Sequence, residues 1–199
     1  MAPLPVVPIT TKFNASNNTS MRLSNNTFLL ITLFSAVFFL FGCGDNPNRF
    51  QVTYNPPAPF DTSESNIDSS YTTDDGLQIY IVEEGDGLYE VVPRDRVSIF
   101  YTGRTIENGE IGRVFDSTYR NGSEAPGVLG NLTPAPNPNS QSSPLIDGFR
   151  RAIIGMRAGG RVVAIIPPSL GYGGAQEGSS GYSLRNDTLR FDIELEGIL

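Results

Sequence analysis

The 199-residue chain has no histidine and no tryptophan, one cysteine (Cys43) and one lysine (Lys12). Without histidine there is no Ser-His-Asp triad and no imidazole to ligate a metal. With no lysine after position 12, the body of the chain offers neither a Schiff base nor a Ser-Lys pair. Positive charge is also scarce, since 14 Lys and Arg stand against 21 Asp and Glu, a net of −7. That balance argues against nucleic acid as a partner, because a phosphate backbone is bound by a basic surface. The Gly-rich GYGGAQEGSSG after Leu170 carries no Gly-Lys-Ser/Thr and is not a phosphate loop. The chemistry left must run on carboxylates, hydroxyls and arginine, or on shape and desolvation alone.

One long apolar run is present, the 14 residues Phe28–Phe41. It is short for a membrane span and suits the h-region of an export signal. Residues 1–20 show no periodicity, so Met21, followed by Arg22, is read as the true start. The run closes Leu40-Phe41-Gly42-Cys43, which resembles the lipobox of bacterial lipoproteins. The resemblance implies that residues 1–42 are removed and that Cys43 becomes an acylated N-terminus. Palmitate-type chains there would bury methylenes in a bilayer at ~0.8 kcal/mol each, giving an exported, membrane-anchored chain. The next stretch, 43–75, is rich in Pro, Asn and Ser without apolar periodicity and reads as a flexible tether. A globular domain is expected over 76–199.

That domain is organised around Pro144–Gly174. Ile146, Phe149 and Ile153 fall at i, i+3 and i+7, the stripe of a short amphipathic helix over Ile146–Met156. Gly155 is its expected stop, and Gly159-Gly160 a tight turn. RVVAIIP then reads as a strand ended by Pro167-Pro168. Further strands are expected at Leu77–Val82, Val97–Thr102 and within Asp187–Ile198.

Four blocks stand in a familiar order: VSIFYTGR (Val97–Arg104), VFDSTYR (Val114–Arg120), the helix-strand-IPPSLGYGG unit, and DTLRFDIELEGI (Asp187–Ile198). Together they resemble the FK506-binding-protein (FKBP) family of peptidyl-prolyl isomerases, in a lipoprotein form of the kind found in Bacteroidetes. The resemblance implies an α+β fold, a curved antiparallel β-sheet wrapped around one short α-helix. By position in the matching blocks, it implies catalytic roles for Tyr101, Asp116 and Tyr172. Phe115, Leu145, Ile146, Phe149 and Phe191 would line the pocket. Phe149 would form the floor, where many relatives carry Trp; Tyr172 and the Ile146 N–H would hydrogen-bond substrate; Asp116 would orient Tyr101 and pair with Arg120. From spacing alone the three Phe residues are ordinary core and Asp116 a turn residue or cap.

Three departures from the family pattern stand out. ENGEIG (Glu107–Gly112) is expected to be a longer hairpin tip than usual. Residues 121–143 replace a short strand with a Pro-, Asn- and Ser-rich insertion. YSLRND stands where relatives carry an Ile-Pro pair, with Tyr182 expected to replace that apolar contact.

The implied reaction fits the absences. Rotation about an X-Pro amide is opposed by ~18–20 kcal/mol of resonance, and uncatalysed exchange takes on the order of tens to hundreds of seconds. No proton transfer, nucleophile, metal or cofactor is needed, only a site that binds the twisted amide better than the planar one. The expected partners are proline-containing polypeptides and macrolides of the FK506 type, besides a membrane through Cys43. The alternative is a binding module of the same fold that holds Pro-containing chains without turnover. A carboxylate hydrolase using Asp116 and Asp147 is disfavoured, because Asp147 suits a helix start.

Overall fold

The computed structural model describes residues 51–130, 132–133 and 145–199. The compact unit begins at Gln51. The expected signal, the lipobox with Cys43 and the first part of the tether lie outside the described residues, as does most of the 121–143 insertion.

Seven strands form one antiparallel sheet: β1 (Ser69–Thr72), β2 (Gln78–Glu83), β3 (Arg96–Glu107), β4 (Glu110–Ser117), β5 (Gly127–Gly130), β6 (Arg161–Ile166) and β7 (Thr188–Ile198). The order is β1-β2-β6-β7-β3-β4, with β5 also paired to β3. The longest ladder joins β3 to β7, from Val97 opposite Ile198 to Ile106 opposite Thr188. The one α-helix among the described residues, α1 (Asp147–Ile153), lies on the sheet and buries Gly148, Phe149, Ala152 and Ile153. This is the α+β architecture expected from the sequence.

The helix starts without a side-chain cap, but Asp147 in its first turn pairs with Arg150 and, at 3.5 Å, with Arg151. An acid there opposes the positive end of the helix dipole. The helix ends at Ile153, short of Met156 and at the expected Gly155 stop, which takes φ +91° and whose N–H donates to Val91 O. Gly148 sets how closely α1 approaches the sheet. A Cβ on it would lie 2.5 Å from Ile166 Cγ2 on β6.

The expected hairpin tip at 107–112 closes on a two-residue turn, Asn108 and Gly109 (φ +54° and +86°), with β3 and β4 running out to meet it. Two local expectations are corrected. A short strand does survive within 121–143, since GVLG forms β5 against Arg96–Ile99. Leu184, not Tyr182, enters the core after the Gly-rich loop; the Tyr182 ring instead lies 4.0 Å from the Arg185 guanidinium.

The largest correction concerns 51–75. These residues are a strap built onto the domain rather than a flexible tether. β1 adds an edge strand to β2. Residues 57–60 cross the outer face of the sheet above Arg104, Arg190 and Asp192, each 5–6% exposed. Asp192 bonds Arg104 at 2.5 Å and Arg190 at 2.8 Å. The strap supplies the remaining partners: Phe60 N–H donates to Asp192, and the Pro57 and Phe60 carbonyls accept from Arg104 and Arg190. Two buried cations and one anion are thus satisfied only with the strap in place, which is why 51–60 packs despite lacking apolar periodicity.

Candidate active site

Alternation along β3, β4 and β7 delivers the site. On β7, Phe191 faces the helix while Asp192 faces the strap; on β3, Tyr101 and Gly103 share the helix side. Gly103 lies beneath two rings, and a Cβ there would come within 2.8 Å of Phe115 and 2.9 Å of Phe191. The glycine of the YTG block is therefore needed to let these rings close over the strand.

Five of the expected residues form one aromatic cluster. Phe149 and Phe191 are 4.6 Å apart between ring centroids, and Tyr101 meets Phe149 edge-on at 5.2 Å. Phe115 stands edge-on to Phe191 at 5.5 Å and to Tyr172 at 6.4 Å. Phe149 and Phe191 are buried, 4% exposed each, as a floor; Tyr101, Phe115 and Tyr172 are partly exposed around them. Edge-to-face pairs of this kind add to the area they bury.

Polar groups are few. The Tyr101 hydroxyl donates to Asp116 Oδ2 at 2.8 Å, and Asp116 Oδ1 accepts the Ser117 N–H at 2.9 Å. Asp116 thus orients Tyr101 as expected. It forms no ion pair with Arg120 among the described residues; the Arg120 backbone instead bridges to Tyr54. Burial, and then the negative charge of Asp116, push the Tyr101 hydroxyl well above its ordinary pKa, and the same two causes raise Tyr172. Both phenols therefore remain protonated donors at neutral pH. The Tyr172 hydroxyl has no hydrogen-bond partner among the described residues. Its ring rests on the backbone of Gly181, where a Cβ would lie 2.2 Å from Cδ1.

Leu145 and Ile146 pack against the core beside this cluster. Ile146 is the N-cap of α1 (φ −61°, ψ 145°), and its carbonyl accepts the Arg150 N–H at 3.1 Å. Its own N–H donates no bond among the described residues and is free for a ligand carbonyl. Six of the eight expected site residues of the domain, the five rings and Asp116, are thus joined by direct contacts; Leu145 and Ile146 pack on the core where α1 begins, and Cys43 lies outside the described residues. Sequence reading missed Gly103 and Gly181, whose roles depend on rings reaching them from distant segments. Among the described residues no group of three or more His, Cys, Asp or Glu could hold a metal ion.

A buried aromatic floor ringed by partly exposed aromatics, one locked tyrosine and two unused N–H or O–H donors can hold a chain by shape and by its carbonyls. Residues 88–196 match the family model described as FKBP-type peptidyl-prolyl cis-trans isomerase. The chain is 32% identical over 133 residues to FK506-binding protein 2 of Candida glabrata, covering 65% of this chain and 86% of that one. It is 29% identical over 136 residues to peptidyl-prolyl cis-trans isomerase Mip of Coxiella burnetii, spanning 68% of this chain and half of Mip. The crystal structure of AtFKBP13 superposes with a TM-score of 0.47 at 27% identity, covering 66% of this chain and 99% of that one. With its model matched over more than half the chain, the family that the four sequence blocks resemble is the one to which this protein belongs: the FKBP-type peptidyl-prolyl cis-trans isomerases.

Proposed function

We propose that isomerisation takes place over the Phe149–Phe191 floor, with Tyr172 and the Ile146 N–H gripping the substrate backbone, and that the clients are exported proteins. The observation that carries the site assignment is the Tyr172 hydroxyl, a protonated donor without a partner among the described residues, at the edge of an aromatic cluster. A proline ring on Phe149 and Phe191 places its preceding amide among rings instead of water. The planar amide, with its larger charge separation, loses more on desolvation than the twisted one, so the barrier falls. Tyr172 and Ile146 hold carbonyls of the substrate so that rotation occurs about the prolyl bond alone. Asp116 acts one step back, by fixing the Tyr101 hydroxyl. Macrolides of the FK506 type would fill the same cluster.

The export reading rests on Met21–Cys43: a charged start, an apolar run of h-region length and a lipobox-like close. On this reading Cys43 carries the acyl chains and the enzyme works on chains folding outside the cytoplasm, tethered through 44–50.

Turnover of an Ala-Leu-Pro-Phe peptide in a protease-coupled assay tests the site. Wild type should be active and blocked by an FK506-type macrolide. Tyr172→Phe should cost up to roughly tenfold, the worth of about one net hydrogen bond. Full activity in Tyr172→Phe, Phe149→Ala and Asp116→Ala alike would place the site elsewhere. Fatty-acid labelling of the precursor tests the anchor, and label retained in Cys43→Ser would refute it.

A further inference from the structure

The family match begins at residue 88, yet the strap 53–60, outside it, pairs with the segment that follows Asp116. Asp116 sits on β4, the last strand of the sheet order, whose ladder to β3 is interrupted by a register shift between Gly103 and Arg104. An edge strand at a bulge is locally weak. Beyond it the chain turns at Asn121-Gly122, both with positive φ (+53° and +76°).

The strap gives this weak end a second partner. Asn55 N–H donates to Tyr119 O at 3.0 Å, and Asn121 N–H donates to Thr53 O at 2.7 Å. The Asn121 side chain accepts the Thr53 N–H at 3.0 Å. Between this ladder and Asp116 lie two residues of chain, Ser117 and Thr118, both bonded to Tyr101. Ser117 Oγ donates to Tyr101 O at 3.0 Å and accepts the Tyr119 N–H at 3.1 Å, while Thr118 N–H donates to Tyr101 O. The Tyr119 ring stacks on Phe100, 5.4 Å between centroids, and lines a narrow groove with Pro57 and Phe60. The far end of the strap is pinned by Asp192 and the two buried guanidiniums. Tyr54 itself forms an isolated antiparallel bridge with Arg120.

We propose that the strap is a positioning element of the isomerase: its ladder to Tyr119–Asn121 fixes Asp116 and, through it, the Tyr101 hydroxyl. The proposal rests on the assignment of Tyr101 and Asp116 to the site. Tyr54 and Asn55 touch no substrate; they act through the loop they clamp.

The test compares two changes at one position in the full chain. Asn55→Pro removes the N–H that Tyr119 O accepts, whereas Asn55→Ala keeps it. Proline suits the extended backbone that Pro56 already favours there. Asn55→Pro should lower kcat/KM for the X-Pro peptide about three- to tenfold, the loss of one net hydrogen bond. It should also move the Ser117 amide and Asp116 carboxyl resonances, with little change in Tm. Asn55→Ala should match wild type on every readout. Wild-type kcat/KM and unshifted resonances in Asn55→Pro would overturn the proposal, as would an equal loss in Asn55→Ala. If Asp116→Ala leaves turnover intact, the site assignment fails separately, and the Ser117 and Asp116 resonances of Asn55→Pro still decide the positioning claim.

Discussion

A single methyl group behind Tyr172 is expected to do more harm than removal of the hydroxyl itself. Gly181 is buried with φ −89° and ψ −5°, the conformation of residue i+2 in a type I turn, which needs no positive φ and is open to alanine. Backbone strain is therefore no obstacle to Gly181→Ala; the obstacle is the Tyr172 ring, 2.2 Å from the new Cβ. Ordinary contact begins near 3.4 Å, so the ring must withdraw by about 1.2 Å or swing out of its place. Misplacing a substrate-positioning group by ~1 Å costs on the order of a hundredfold in rate. Tyr172→Phe, which leaves the ring seated, costs up to roughly tenfold. The overpacking itself should destabilise the fold by ~1–3 kcal/mol, so circular dichroism and Tm must accompany the peptide assay. Gly181→Ala should thus be folded, slightly less stable and slower than Tyr172→Phe. If it turns over peptide at or above the rate of Tyr172→Phe while remaining folded, the ring is not held by that contact, or its position does not matter.

Three further outcomes are expected. Asp192→Ala should remove the only carboxylate between two buried guanidiniums, costing ~3–5 kcal/mol and lowering Tm by on the order of 10 °C; a drop of a degree or two by calorimetry would show that water replaces it. Gly148→Ala should push α1 off β6, since its Cβ would sit 2.5 Å from Ile166, and the loss should show as a Tm decrease with reduced turnover. The raised pKa of Tyr101 and Tyr172 stabilises the fold fully below the ordinary phenol value of about 10. That share is lost as pH rises above it, so Tm should decline there, with ultraviolet titration showing late-ionising tyrosines that ionise normally on unfolding.

The rings of the site were legible because they stand in contiguous blocks whose order and spacing carry the resemblance: YTG, FDS, LIDGF, GYG and LRF. Their edge-on contacts were not, since those depend on Gly103 and Gly181 being approached from segments far along the chain. The strap was illegible for two reasons. An extended Pro-rich segment with isolated bridges leaves no periodic mark, so NPPAPF reads like a linker. Arg190 and Asp192 alternate with Leu189, Phe191 and Ile193, the pattern of a strand with a wet outer face, and only tertiary structure shows that face covered. The early end of α1 has a simpler cause: the apolar stripe continues through Met156, but Gly155 takes a backbone conformation that a helix cannot contain.

The aromatic floor has an optical consequence. A chain without tryptophan emits only through its tyrosines, so an indole introduced at position 149 would be observed against no background of its own kind. Its neighbours would be the Phe191 and Tyr101 rings, now 4.6 Å and 5.2 Å from the Phe149 centroid. Such a fluorophore would lie beneath any proline ring that enters the site. The emission of Phe149→Trp would then shift with each arriving peptide, reporting occupancy directly without waiting for a bond to turn.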